Sequence, residues 1–326
     1  MPYDVICLRP ETDFLRVGVT PPSDLSIAYR APDDDGLAGL MKTARALVIP
    51  AVGPKLVSAL FKGTGVKLVQ VTGAGVDRLD ESAMREFGIM VANVAGGADE
   101  AVAEYVITST MALLRRFFWA DANIKSGLYS EFRKQMVADN LSGFGGLTVG
   151  VVGLGSIGLT VAREFHHKGC HIVYYDPAPA NRDAAQKLGA RSLSLDELLR
   201  VADVVTLHVP LIPATKNLIG AAELAAMKPG SILINAARGG IVDEAALAAS
   251  LISGHLGGAA VDVYSSEPPP LDNPLLALKE DVAHRLLLTP HIAGVTRQSW
   301  AFLFRTAWEN VERVLTRNEP PLNRVF

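Results

Sequence analysis

Residues 148–159 read TVGVVGLGSIGL, and this stretch decides the fold. A β-branched run at 148–152 leads into Gly153-Leu154-Gly155-Ser156-Ile157-Gly158, and a helical apolar pattern continues from 159 to 167. Gly153 permits a tight turn from strand to helix, Gly155 lets backbone approach a pyrophosphate, and Gly158 lets helix and strand pack closely. The helix start, at Ser156 and Ile157, offers free N–H groups and a positive dipole end to phosphate. A second apolar run, 171–175, ends at Asp176, about twenty residues on, where a carboxylate accepts from ribose hydroxyls and repels a 2′-phosphate. Strand, glycines, helix, second strand and acid occur in order. They imply a dinucleotide site of the Rossmann kind that favours NAD over NADP.

Outward from this unit, short apolar runs alternate with helical patterns, the mark of a parallel α/β protein. Upstream, 5–8, 46–49, 67–71 and 90–92 read as strands, and 37–43, 54–62 and 80–87 as helices. One long helix is expected over 99–118, with Asp99 and Glu100 at its positive end. The segment 121–146 reads as irregular, and packing against a second subunit would account for its length. Downstream, strands are expected at 203–208, 231–235, 258–263 and 285–289, and a final helix at 296–315.

Composition narrows the class. The 326 residues suggest two domains, 49% hydrophobic content supports large cores, and 20% charged residues exclude a disordered chain. A net charge of −3 provides no field for nucleic acid or an anionic membrane. Two cysteines, Cys7 and Cys170, form no CxxC pair, and no secretory signal or membrane span is visible. A cytoplasmic protein is the resulting expectation.

Ligands in open α/β sheets sit outside the carboxyl ends of the strands. Those ends read His208-Val209-Pro210, Asn235-Ala236-Ala237-Arg238-Gly239-Gly240, Asp262-Val263 and Pro290-His291. Hydride transfer at a carbonyl carbon needs an acid/base, and histidine suits neutral pH. His166, His167 and His171, beside Cys170, suggest a metal cluster at first sight, but the first two more simply complement a helix C-terminus, and no metal is expected. His255 and His284 lie in expected turns, solvated. His208 ends a strand, where its backbone neighbours suit a cofactor better than its ring. His291 follows an apolar run and a proline at a strand end. Arg238 holds the equivalent place two strands earlier and could grip a carboxylate bidentately. Glu267 precedes three prolines.

With these residues in view, the sequence resembles the D-isomer-specific 2-hydroxyacid dehydrogenase family. The matching segments are GGLTVGVVGLGSIG, VVTLHVPLIPATKNLIG, MKPGSILINAARGGIVDEAAL, GAAVDVYSSEPP and TPHIAG. The resemblance implies two doubly wound parallel-sheet domains, with a Rossmann NAD domain (99–291) inserted into a discontinuous flavodoxin-like substrate domain (1–98 and 292–326). It implies closure over both ligands, hinging near 97–99 and 293–296. It gives Arg238 the role of binding and polarising a 2-oxoacid and His291 that of acid/base. Glu267 orients the imidazole and favours its charged form, and Asp262 meets the nicotinamide carboxamide. Further cofactor contacts are implied at His208, Val209, Pro210, Thr215, Ala236, Ala237, Arg238, His291 and Gly294. The substrate loop matches Thr72-Gly73-Ala74-Gly75-Val76-Asp77, with the N–H groups of Ala74 and Gly75 on the substrate carboxylate.

Departures sharpen the resemblance. Glu267 stands where the formate dehydrogenase branch has Gln. Ala74 and Trp300 stand where the phosphite branch has Lys and Arg. The expected activity is NAD-dependent interconversion of a small D-2-hydroxyacid and its 2-oxoacid, by a homodimer. The alternative is an NAD(H)-sensing binding protein on the same fold, similar to transcriptional corepressors.

Overall fold

The computed structural model describes residues 3–326. The chain divides into two compact units. One runs to Ala98 and resumes at Val295–Phe326; the other is Asp99–Gly294.

The first unit holds five parallel strands: β1 (Val5–Cys7), β2 (Ile27–Tyr29), β3 (Ala46–Ile49), β4 (Leu68–Val71) and β5 (Met90–Ala92). Their order is β2-β1-β3-β4-β5, the flavodoxin-like arrangement. β1, β3 and β4 are buried along their whole length, as strands covered on both faces must be. The last helix, Arg297–Leu315, starts at a Thr296–Ser299 capping box. Its Phe304 and Trp308 pack on Phe14, with centroids 4.6 and 5.1 Å apart. Buried Asn310 is satisfied by Gln70 and by both backbone groups of Leu322.

The second unit holds β6 (Thr148–Val152), β7 (His171–Tyr175), β8 (Arg191–Ser192), β9 (Val204–Leu207), β10 (Ile232–Asn235), β11 (Gly258–Val261) and β12 (Leu286–Leu288). Their order is β12-β11-β10-β9-β6-β7-β8, all parallel. β6, β7 and β8 run one way from the centre, and β9 to β12 the other. This is the Rossmann arrangement, with its reversal between β6 and β9. The helix Asp99–Leu114 packs on the fingerprint helix Ser156–His167. Two fully parallel α/β sheets agree with the fold class read from the sequence.

Several local expectations need correction. The helix expected over 99–118 stops at Leu114, because Arg116 takes a left-handed φ of 53°. The segment expected to be irregular is mostly helical: Phe117–Lys125 and Tyr129–Ala138, joined edge-to-face by Trp119 and Phe132. The first of these buries no residue, so it lacks the apolar stripe from which a helix is read. The helix expected over 54–62 shrinks to a 3₁₀ turn, Ser58–Phe61. Arg78 ties the preceding loop down through the carbonyls of Pro50 and Pro54. The helix Glu11–Arg16 and the short strands β2 and β8 were not anticipated. Among the described residues no helix is long and apolar enough to cross a membrane.

Candidate active site

The reversal between β6 and β9 is built from backbone. Gly153 has a φ of 94°, and a Cβ there would stand 2.5 Å from the His208 carbonyl oxygen. Glycine thus lets the turn after β6 lie against the end of β9. Gly155 meets nothing within 4 Å and faces open space, and Gly158 is buried on the helix that starts at Ser156. Asp176 closes the other side. Its Oδ2 accepts from the Leu154 N–H at 2.7 Å and its Oδ1 from the Ala178 N–H at 2.8 Å. Each oxygen keeps acceptor capacity for a ribose hydroxyl. An open glycine turn, a helix N-terminus and an acid at the next strand end fit a dinucleotide.

Next along the same edge, the loops after β10, β11 and β12 meet. Asn235 pins the first: its Oδ1 accepts from Ala237 N at 3.2 Å, and its Nδ2 donates to the Arg238 carbonyl at 3.2 Å. Gly239 lies so close to the Tyr264 carbonyl that any Cβ would collide with it, which draws Arg238 toward the β11 loop. In that loop the Tyr264 N–H donates to Glu267 Oε1 at 3.0 Å. Glu267 Oε2 meets His291 Nδ1 at 2.8 Å. Burial works to raise the Glu267 pKa. The hydrogen bonds from His291 and Tyr264 and the charges of His291 and Arg238 outweigh it, leaving the carboxyl below its ordinary value. The His291 and Glu267 side chains are 26% and 25% exposed, so the pair is reachable from solvent.

His291 itself sits at φ 55°, in the left-handed region. Asp262 holds it there. The Asp262 carbonyl accepts from His291 N at 2.8 Å. Its fully buried carboxylate accepts from Ile292 N and Ala293 N, each at 2.8 Å, and from Thr289 Oγ1 at 2.6 Å. Thr289 is braced in turn by the Tyr105 hydroxyl at 2.7 Å, and its carbonyl accepts from the Tyr264 hydroxyl at 2.9 Å. Burial pushes the Tyr264 hydroxyl up to about 12, so it stays a donor. Tyr105, Thr289 and Tyr264 escaped the sequence reading as supports of the site, and Asn235 was read only as a strand end. Each acts through tertiary contacts, and no local motif marks them.

The other histidines separate physically. His208 bonds Thr206 Oγ1 at 2.9 Å, and burial lowers its pKa to about 3, so its ring stays neutral. The expectation of solvated rings fails for His255, which reaches the Met227 carbonyl at 3.0 Å, and for His284, which stacks on Trp119 at 3.9 Å. Both rings find partners in neighbouring elements that sequence spacing could not reveal. His166 and His171 are exposed, whereas Cys170 is buried and bonds the Phe144 carbonyl. Thr215 Oγ1 spans its own loop, donating to the Pro210 carbonyl and accepting from Ile212 N. Asp262, implied as a carboxamide ligand, is engaged with the His291 loop. A cavity of this unit, lined by Leu113, Arg116, Trp119 and Arg285, lies at the opposite, N-terminal ends of β11 and β12. In the first unit the loop after β4 is fixed by Thr72 Oγ1 on the Ile49 carbonyl and by Asn93 Nδ2 on the Ala74 carbonyl at 2.7 Å.

Residues 107–293 match the family model described as D-isomer specific 2-hydroxyacid dehydrogenase, NAD binding domain. An (S)-sulfolactate dehydrogenase of Chromohalobacter salexigens is 38% identical over 295 residues, 90% of this chain and 92% of that one. A D-3-phosphoglycerate dehydrogenase of Archaeoglobus fulgidus is 40% identical over 234 residues, 72% of this chain; the chain spans only 42% of that relative's length. The holo form of Rhodotorula graminis D-mandelate dehydrogenase superposes with a TM-score of 0.85 at 27% identity, covering 100% of this chain and 98% of that one.

The Asp262 brace makes a direct prediction. In Asp262→Ala, the Ile292 and Ala293 amides lose charge-assisted acceptors worth about 1.5–3 kcal/mol each. Their hydrogen-exchange protection should fall by roughly tenfold or more. Unchanged protection at both amides would contradict the brace.

Proposed function

Because the chain belongs to the D-isomer-specific 2-hydroxyacid dehydrogenase family and carries its NAD-binding domain, we propose that it interconverts a small D-2-hydroxyacid and its 2-oxoacid. The observation that carries this reading is the His291–Glu267 pair at 2.8 Å beside the Arg238 loop, on the sheet edge that also holds the dinucleotide turn. When bound, NADH supplies a hydride to C2 of the oxoacid. Arg238 binds the substrate and polarises its 2-oxo group. His291 Nδ1 is engaged by Glu267, so Nε2 is the atom that gives a proton to the 2-oxo oxygen and takes it back in oxidation. Glu267 fixes the tautomer and stabilises the imidazolium. Ala74 and Gly75 present N–H groups to the substrate carboxylate. Asp176 takes the ribose hydroxyls, while Gly153, Gly155, Ser156, Ile157 and Gly158 border the pyrophosphate.

Two further elements belong to the proposal. Cys7 and Cys170 are buried and unpaired, which supports a reducing compartment such as the cytoplasm. Phe118, Tyr129 and Val137 stand 63%, 61% and 65% exposed on the two helices after Arg116. A second copy of the chain is the partner we assign to that apolar surface. Sedimentation should return twice the chain mass, and Phe118→Asp should shift the species toward monomer. A monomeric wild type at micromolar concentration would refute the assignment.

NADH oxidation should be measured with glyoxylate, hydroxypyruvate, pyruvate, phenylpyruvate and sulfopyruvate. At least one should turn over, and His291→Ala should lower kcat by about 10²–10⁴ while NADH affinity holds. A folded, NADH-binding protein that reduces none of them would overturn the proposal and leave a nucleotide-sensing role.

Glu267 gives a second test. Burial works to raise its pKa, but its hydrogen bonds and the nearby charges outweigh this, so the carboxyl stays charged below its ordinary range. Glu267→Gln removes that charge and keeps the shape of the side chain. The kcat for reduction should fall by about tenfold or more while NADH affinity holds. An unchanged kcat would contradict the role given to Glu267.

A further inference from the structure

The five-stranded sheet has a reversal of its own, between β1 and β3. In open α/β sheets the ligand crevice opens at such a point, outside the carboxyl ends of the strands. Arg9 stands there, two residues beyond β1. Cys7 pairs with Val48 and Val48 with Gln70, so two residues on Arg9, Pro50 and Thr72 stand at one level. Thr72 begins the loop that presents Ala74 and Gly75. β1 and β4 are separated only by β3, about 10 Å in all.

The Arg9 side chain is 14% exposed. Its Cζ lies 4.8 Å from the ring centroids of both Trp300 and Phe304, on the last helix. These contacts bring the start of that helix to the same sheet edge and fix the guanidinium there. Asp13 Oδ2 meets Nη2 at 3.2 Å. The Nε is buried and has no hydrogen-bond partner among the described residues. Arg78, buried in the same unit, also leaves its Nη2 without a partner among the described residues, but its Nε and Nη1 are spent on the Pro54 and Pro50 carbonyls as a tie between loops, whereas Arg9 stands at the crevice with only Asp13, among those residues, on its guanidinium. A rigid cation with a buried, unsatisfied N–H at a ligand crevice is a group in want of an acceptor.

We propose that Arg9 recognises a second anionic group on the substrate, so that the preferred 2-oxoacid carries a sulfonate, carboxylate or phosphonate on C3. This rests on the reading of the protein as a 2-oxoacid reductase. The C1 carboxylate lies at the Ala74–Gly75 loop beyond β4, and the far anion reaches across the end of β3 to the guanidinium. Trp300, where the phosphite branch carries an arginine, becomes the aromatic platform for a cation delivered from β1. Arg9 is thus a specificity residue and leaves the hydride and proton steps to Arg238, Glu267 and His291.

The test compares wild type with Arg9→Met, which keeps an apolar chain against Trp300 and Phe304 and removes the charge. Sulfopyruvate, oxaloacetate and phosphonopyruvate are set against pyruvate and hydroxypyruvate. Two readouts run in parallel: kcat/KM, and the Tm shift that each acid gives the NADH complex. Wild type should favour at least one dianion over pyruvate by about tenfold or more. Arg9→Met should lose that preference through KM, with pyruvate turnover kept within about threefold. The three dianions distinguish which anion fits. Where Arg9→Met does not fold, Arg9→Gln reads the same ratio. A wild type without preference, or a preference that survives loss of the charge, overturns the proposal. Dianion-specific, Arg9-dependent Tm shifts without turnover would sink the reductase reading and leave the Arg9 site standing. Shifts independent of Arg9 would sink the site.

Discussion

The second unit depends on one buried carboxylate, Asp262, set beneath the turn that carries His291. A residue in the left-handed region costs about 1–3 kcal/mol, toward the low end for histidine. The hydrogen bonds that Asp262 accepts from Thr289, Ile292 and Ala293 contribute about 1.5–3 kcal/mol each, enough to hold that turn. The backbone direction that results brings the imidazole to Glu267 rather than to solvent. Tyr105 and Tyr264 reach Thr289 from a helix and a neighbouring loop, so the turn is over-determined from three elements. Such support is what a proton-transfer group needs, because small displacements of a reacting group are costly to rate.

Each unit has one reversal of strand order, and each reversal sets a distinctive group at the strand ends. In the seven-stranded sheet it is the backbone at Gly153, pressed against the end of β9. In the five-stranded sheet it is Arg9, stacked on the last helix. The same topological rule therefore accounts for a site built of N–H groups and a site built of a cation. The first suits phosphates that every nucleotide carries. The second suits a group that only some substrates carry.

Much of this was legible before any coordinates. The two sheets follow from buried strands, which announce themselves as continuous apolar runs, and the cofactor turn follows from glycines whose spacing has a steric reason. The placement of Arg238, Glu267 and His291 on the loops after β10, β11 and β12 was legible because each follows a strand end, where sequence and topology coincide. What escaped lies off these patterns. The helix Phe117–Lys125 buries nothing and so shows no stripe. β2 and β8 are edge strands of three and two residues. The buried work of Asp262 and the bracing by Tyr105 join residues far apart in the chain. The carboxamide role that resemblance implied for Asp262 gave no hint that its carboxylate would be spent on the loop beside it.

We propose that His291, held by Glu267 and Asp262, delivers a proton to a 2-oxoacid as hydride leaves the nicotinamide. The most direct measurement is single-turnover oxidation of bound NADH on mixing with a reactive 2-oxoacid. It should be run with deuterated cofactor and with heavy water, in wild type and His291→Ala. Both isotopes should slow the same wild-type step, and this step should be lost in the variant although NADH still binds. A wild type that binds NADH yet oxidises none, or a solvent isotope effect that survives without His291, would contradict it.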